Sequence, residues 1–194
     1  MSTISIIGSG GMAAAIGGRS AKAGHAVEVS SRDAARAQAL ADQLGAGATT
    51  AAYGAVPTGD IVILAVPYTG AAAVIADYGD ALDGRVIIDI TNPVSADATG
   101  LVTPHGSSGA QEIAKGLPAG AHVVKAFNTV FGHVLVRGER LDAFIAADEP
   151  EAKARASAFI DSLGLRPLDI GGLHMAATLE ALGLLMIGLA KNGA

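Results

Sequence analysis

The strand-like run Ile4–Ile7 leads straight into Gly8-Ser9-Gly10-Gly11-Met12-Ala13, which opens an Ala- and Gly-rich helix to about Ala23. In that setting G-x-G-x-x-A brings a main chain up against a pyrophosphate. Gly8 permits the tight turn, Gly10 lets the phosphates approach the backbone, and Ala13 keeps helix and strand close. The helix N-terminus then offers unpaired N–H groups and a partial positive charge. The chemistry implied is dinucleotide binding. The alternative is a tight strand-to-helix turn whose small residues serve packing alone.

The tip of the second strand chooses the dinucleotide, because a carboxylate there accepts the ribose 2′-hydroxyl of NAD. Glu28 has nearly the right spacing from Gly8, but it sits mid-strand between Val27 and Val29. The tip reads Ser30-Ser31-Arg32 instead. A guanidinium there pairs with a 2′-phosphate, and Arg36 stands one helical turn further on. Asp33, the one adverse charge, is expected to face the helix N-terminus. The pattern points to NADP, against the plainer reading that Arg32 and Arg36 only solvate a helix start.

Three further strand ends carry informative residues: Ala65-Val66-Pro67-Tyr68, Asp89-Ile90-Thr91-Asn92-Pro93 and Lys125-Ala126-Phe127-Asn128-Thr129. In an open α/β sheet ligands lie beyond such carboxyl ends. Pro67 and Pro93 stiffen the exits. Asn92, Asn128 and Thr129 offer neutral hydrogen bonds that suit a carboxamide or a carbonyl on a second ring. Lys125 and Asn128 have the K-x-x-N spacing of hydroxyacid dehydrogenases, where the motif lies on a helix beside a second, helical domain. Here it falls at a strand end, so no general acid, and no other catalytic acid or base, is expected. The histidines His25, His105, His122, His133 and His174 lack metal-ligand spacing, and no metal is expected. His25 reads as a surface residue in the turn before the second strand. A direct hydride transfer between two bound rings fits this inventory, because the protein then only holds donor and acceptor in register.

These residues need a scaffold, and the chain supplies alternating strand and helix signals. Strand runs are expected at Ile4–Ile7, Ala26–Ser30, Ile61–Val66, Val86–Ile90, Val123–Ala126, Phe144–Ala147 and Arg166–Asp169. They are rich in Val and Ile and apolar on both faces, as in a parallel sheet covered by helices on both sides. Helix starts are marked by Ser108-x-x-Gln111, a capping box, and by Asp148 as a cap ahead of Pro150 and Glu151. A helix from about Asp33 to Leu44 stops at Gly45. The expected fold is α/β: one doubly wound Rossmann domain over 1–194, with a mostly parallel sheet of about 7–8 strands. The last helix, about 174–190, covers the site or an interface. Its segment Leu182–Ala190 is apolar almost all round and reads as a buried helix too short to span a bilayer.

The 194 residues carry a net charge of -5, no cysteine and no Lys/Arg run, so neither nucleic acid nor a thiolate metal site is expected. No signal-peptide pattern precedes the first strand, and the default expectation is a cytoplasmic protein without a membrane partner.

The succession of Gly8–Ala13, Ser31-Arg32, Ala65-Val66-Pro67, Asn92-Pro93, Lys125–Thr129 and Leu165-Arg166-Pro167-Leu168-Asp169 resembles the NADPH-dependent coenzyme F420 (deazaflavin) reductases. The oxidoreductase domain of the STEAP metalloreductases is similar. The resemblance runs from residue 3 to about residue 187. It implies that Ser31 and Arg32 hold the 2′-phosphate, that Ser9 lies near the phosphates, and that Asn128 lines the deazaflavin side. It also implies hydride transfer between nicotinamide C4 and deazaflavin C5 without a protein acid or base, and a homodimer. Two departures leave the acceptor open. Members continue past the last helix into a Gly-rich tail, and Met175–Thr178 stand where polar and basic residues are common. The alternatives are an NADPH-dependent reductase of a flavin, a metal ion or a small imine or carbonyl, and a non-catalytic NADP(H)-binding or sensing protein.

Overall fold

Alternate residues of the strands go to opposite faces, and both faces are apolar. Ile4, Ile6, Ile61, Ile63 and Ile88 join one buried cluster, whereas Ile7, Val62, Leu64 and Ile87 join another. Such strands have to be covered on both sides. In the computed structural model, which describes residues 2–193, they are. The strands β1 (Thr3–Ile7), β2 (Ala26–Ser30), β3 (Thr49–Thr50), β4 (Ile61–Leu64), β5 (Val86–Asp89) and β6 (His122–Lys125) form one parallel sheet of order β3-β2-β1-β4-β5-β6. The order reverses between β1 and β4, and the loops leaving these two strands diverge to open a crevice.

The helices are α1 (Gly11–Lys22), α2 (Ala34–Leu44), α3 (Tyr68–Tyr78), α4 (Gly109–Lys115), α5 (Gly132–Leu135), α6 (Pro150–Ser162) and α7 (Ala176–Lys191). Residues of α1, α2 and α6 pack with the first cluster, and those of α3 and α4 with the second. The expected capping box at Ser108 and Gln111 is complete, and Gly45, at φ 59°, ends α2.

The structure departs from the sequence expectations at several points. The strand β3 has two residues, too few to leave a periodic signal. The strands β7 (Asp142–Ile145) and β8 (Arg166–Asp169) form a separate parallel pair, and one antiparallel bridge, Lys125–Ala146, joins it to β6. The cap of α6 is Glu149, which accepts the Ala152 N–H at 2.6 Å, because Asp148 is spent on the Leu173 N–H at 2.7 Å.

His25 is buried: Nδ1 accepts the Ser2 N–H at 3.2 Å, so the ring donates from Nε2 to Ser162 Oγ at 2.7 Å. The last helix is not buried as a whole. It turns Ala176, Leu179, Glu180 and Gly183 inward and leaves Leu185 57% and Leu189 45% exposed. With the 3-10 turn Leu173–Met175 ahead of it, the helical stretch of 19 residues is long and apolar enough to cross a membrane by length and composition.

Candidate cofactor site

The loop after β1 is shaped by glycine where a side chain would not fit. Gly8 lies at φ 129°, in a region that L-residues rarely adopt, and a Cβ there would overlap the Ala65 carbonyl oxygen at the exit of β4. Gly8 N–H donates to the Ser30 carbonyl at 2.8 Å, which ties the loop to the tip of β2. A Cβ on Gly10 or Gly11 would meet only open space, so the main chain there is open to an approaching group. Gly10 caps α1 without any side-chain bond to the helix N–H groups, which leaves that turn free for an anion. Ala13 is fully buried and lets α1 pack tightly.

A cleft of about 380 Å³ runs from this loop across the ends of β4 and β5. It is lined by Gly10, Met12, Ala65, Val66, Pro67, Tyr68, Thr69, Ile90, Thr91, Asn92 and Val94, and none of these carries a formal charge. Burial, and next the Glu112, Glu180 and Asp89 carboxylates, push the Tyr68 phenol above its ordinary value, so it is neutral at physiological pH.

At the tip of β2, Ser9 Oγ donates to Ser31 Oγ at 3.3 Å. Arg32 and Arg36 are exposed beside them, and a second hollow of about 300 Å³ is bordered by Ser9, Gly10, Gly11 and Arg36. Asp33 faces the helix: its Oδ1 accepts the Arg36 N–H at 3.1 Å. Glu28 is buried and accepts from Ser5 Oγ at 2.7 Å, the Thr58 N–H at 3.1 Å and Thr58 Oγ1 at 2.9 Å. It braces β1, β2 and the approach to β4, and offers nothing to a ribose.

The far end of the cleft rests on a buried ion cluster. Lys125 Nζ donates to Asp89 Oδ2 at 2.8 Å and to the Thr91 carbonyl at 2.6 Å, and it pairs with Glu180 Oε1 at 2.9 Å. All three side chains are 0% exposed. The ammonium is enclosed by these three oxygen partners and shut off from solvent, so Lys125 is spent on the cluster and not on a ligand in the cleft. After Lys125 the chain turns through Phe127, a buried residue at φ 60°. Such a conformation costs energy in a bulky residue and is held by its surroundings. It leads into Asn128, whose Nδ2 donates to Asn92 Oδ1 at 3.0 Å and to the Leu179 carbonyl at 2.8 Å. Asn92 Nδ2 returns a bond to the Asn128 carbonyl at 2.8 Å.

Among the proposed site residues, then, the structure gathers Gly10, Met12, Ala65, Val66, Pro67 and Asn92 along one cleft, with Ser9 and Gly11 beside Gly10 in the adjoining hollow. Asn128 is 7% exposed and braces Asn92 from behind. Pro93 is buried, and Thr129 lies in the turn after Asn128; neither lines the cleft. Thr91, Tyr68 and Glu180 were not among the expected site residues. A lone acid in an otherwise apolar helix was the available signal for Glu180.

Two buried polar atoms near this end, Thr91 Oγ1 and Asn128 Oδ1, have no protein partner. Thr91 borders the cleft, and together with the open cradle at Gly10 and Gly11 its unpartnered hydroxyl fits a dinucleotide with a hydrogen-bonding group at its far end.

A crevice at the switch point of a doubly wound sheet, with a glycine phosphate loop and arginines at the β2 tip, defines an NADP-dependent oxidoreductase of the Rossmann class. The family model for NADP oxidoreductases, coenzyme F420-dependent, matches residues 3–93. The F420-dependent NADP reductase of Methanothermobacter marburgensis is 30% identical over 190 residues, covering 88% of this chain and 84% of that protein. The chain belongs to the F420-dependent NADP reductase family. Rat Metalloreductase STEAP3 is also 30% identical, over 187 residues that make up 95% of this chain. This chain spans 37% of that relative's length. A solved structure from Arthrobacter sp. FB24 shares the fold, superposing with a TM-score of 0.87 at 23% identity and covering 99% of this chain and 95% of that one.

Proposed function

We propose that this chain exchanges a hydride between the nicotinamide C4 of NADP(H) and the deazaflavin C5 of coenzyme F420. The observation that carries this reading is the cleft lining, which has neutral hydrogen-bonding groups at its far end and no charged side chain. A transfer between two rings needs no protein acid or base, only their alignment. NADPH, when bound, supplies the hydride from C4, and the one proton needed to balance the reduced deazaflavin is taken from solvent.

The chain's own work is positional. The N–H groups of Gly10, Gly11 and Met12 at the start of α1 receive the pyrophosphate, favoured by the helix dipole. Ser9, Ser31, Arg32 and Arg36 hold the 2′-phosphate, and Arg32 selects against NAD. Ala65, Val66 and Pro67 form an apolar wall that excludes water. Asn92 and Thr91 offer hydrogen bonds to the carboxamide, and Asn128 fixes Asn92 from the side of α7. The family relationship supports the choice of acceptor, since the matched relatives are named for F420 and NADP.

The test mixes purified protein with NADPH and coenzyme F420 and follows both absorbances. Equal molar loss of the two supports the reading. NADPH binding without loss of either absorbance overturns it, and NADPH oxidation by a flavin alone reassigns the acceptor.

A further inference from the structure

The buried cluster at Lys125 reaches further than the strand it sits on. Glu180, on the inner face of α7, accepts the Gly109 N–H at 2.8 Å through Oε2 and the Ala110 N–H at 3.2 Å through Oε1. The same carboxylate pairs with Lys125. One side chain therefore fastens α7 to the first turn of α4 and to the end of β6. Leu179, its neighbour, supplies the carbonyl that holds Asn128 Nδ2. Gly183, within one turn of Glu180, lies so near Asn92 that a Cβ would overlap Asn92 Oδ1 and stand 3.2 Å from Asn128 Nδ2.

Both amide hydrogens of Asn128 are thus committed, and its amide has one orientation. Turned over, it would set its oxygen against the Leu179 carbonyl and Asn92 Oδ1. Asn92, which lines the cleft, is held by that amide through its Oδ1 and by the Asn128 main-chain carbonyl through its Nδ2. The turn from Leu179 to Gly183 is the surface against which the pair is set, and Glu180 pins that turn.

We infer that Glu180 is a positioning residue for the nicotinamide end of the cleft, acting through Asn128 on Asn92. The inference rests on the reading that Asn92 faces the nicotinamide. It gives the buried carboxylate a directional task beyond holding the fold, because the phosphate loop and the β2 tip lie outside its contacts.

The test compares two ligands by calorimetry, NADP+ and 2′,5′-ADP, the second having the 2′-phosphate but no nicotinamide. In Glu180→Gln, an isosteric change, NADP+ binding weakens about tenfold, the worth of one well-placed hydrogen bond, while 2′,5′-ADP stays within about twofold. In an Asn92→Ala background the same substitution costs nothing more, since the group it positions is gone. If Glu180→Gln does not yield folded protein, Glu180→Asp, which keeps the charge and withdraws the carboxylate by one methylene, is measured the same way. Parallel losses of both ligands, or no loss of either, overturn the inference. If Asn92→Ala alone leaves both affinities unchanged, the placement of the nicotinamide fails as well. If Asn92→Ala is selective for NADP+ and the Glu180 variants are not, the inference alone fails.

Discussion

Glu28 and Ser5 meet at 2.7 Å inside the sheet, and that contact settles which way the acid of β2 faces. Its two oxygens are further held by Thr58, so no carboxylate of this strand is free for a ribose hydroxyl. Glu28→Gln is expected to lower stability by about 1–3 kcal/mol without altering the preference for NADP over NAD, as read by urea unfolding and ligand titration.

Arg32→Ala is expected to weaken NADP binding about 10- to 100-fold, the scale of a charge-assisted contact, with NAD affinity changed by less than about twofold. Equal losses for the two ligands would count against the 2′-phosphate assignment at Ser31 and Arg32.

Lys125→Met leaves Asp89 and Glu180 buried without their cation. Breaking a buried cluster this way typically costs about 3–5 kcal/mol. The urea midpoint of the variant should fall accordingly, and a change under about 1 kcal/mol would show that the cluster does not hold the fold together.

Two glycines of α7 should respond in opposite directions. A Cβ at Gly188 meets nothing within 4 Å, so Gly188→Ala should stabilise by about 0.5–1 kcal/mol through helix propensity. Gly183→Ala gains the same propensity but presses on Asn92, and should weaken NADP+ binding while leaving 2′,5′-ADP unaffected. Thermal melts and calorimetry on both variants check the pair.

Burial holds the pKa of His25 below its ordinary value. The Ser2 N–H donating to Nδ1 can be accepted only by the neutral ring. With the folded pKa depressed, the unfolded state binds more protons once the pH drops below about 6.5. Stability should therefore be insensitive to this group above that pH and fall below it, by at most about 1.4 kcal/mol per unit. His25→Gln should flatten the slope between pH 7.5 and 5.5 in urea titrations; an unchanged slope would contradict the assignment.

Local signals made much of this protein legible. Gly8 to Ala13 stand between a strand and a helix in sequence as in space, and the Val- and Ile-rich runs lie at or within a residue or two of their strands. Ser108 and Gln111 are three residues apart and needed no tertiary partner. What was hidden depends on distant pairs. Glu180 is intelligible only through Lys125, 55 residues earlier, and Asp148 gives up its cap because Leu173 competes for it. His25 is buried because Ser162, 137 residues on, comes to meet it. The positive φ of Phe127 follows no residue preference, since the surrounding contacts impose it.

The most direct measurement of the central claim uses NADPH carrying deuterium at the transferred C4 position, mixed with coenzyme F420 in a single turnover and read by mass spectrometry. Direct transfer across the cleft predicts one deuterium on C5 of the reduced deazaflavin, with none lost to water. Reduced F420 lacking the label, or no reduction at all in protein that binds NADPH, would contradict the account.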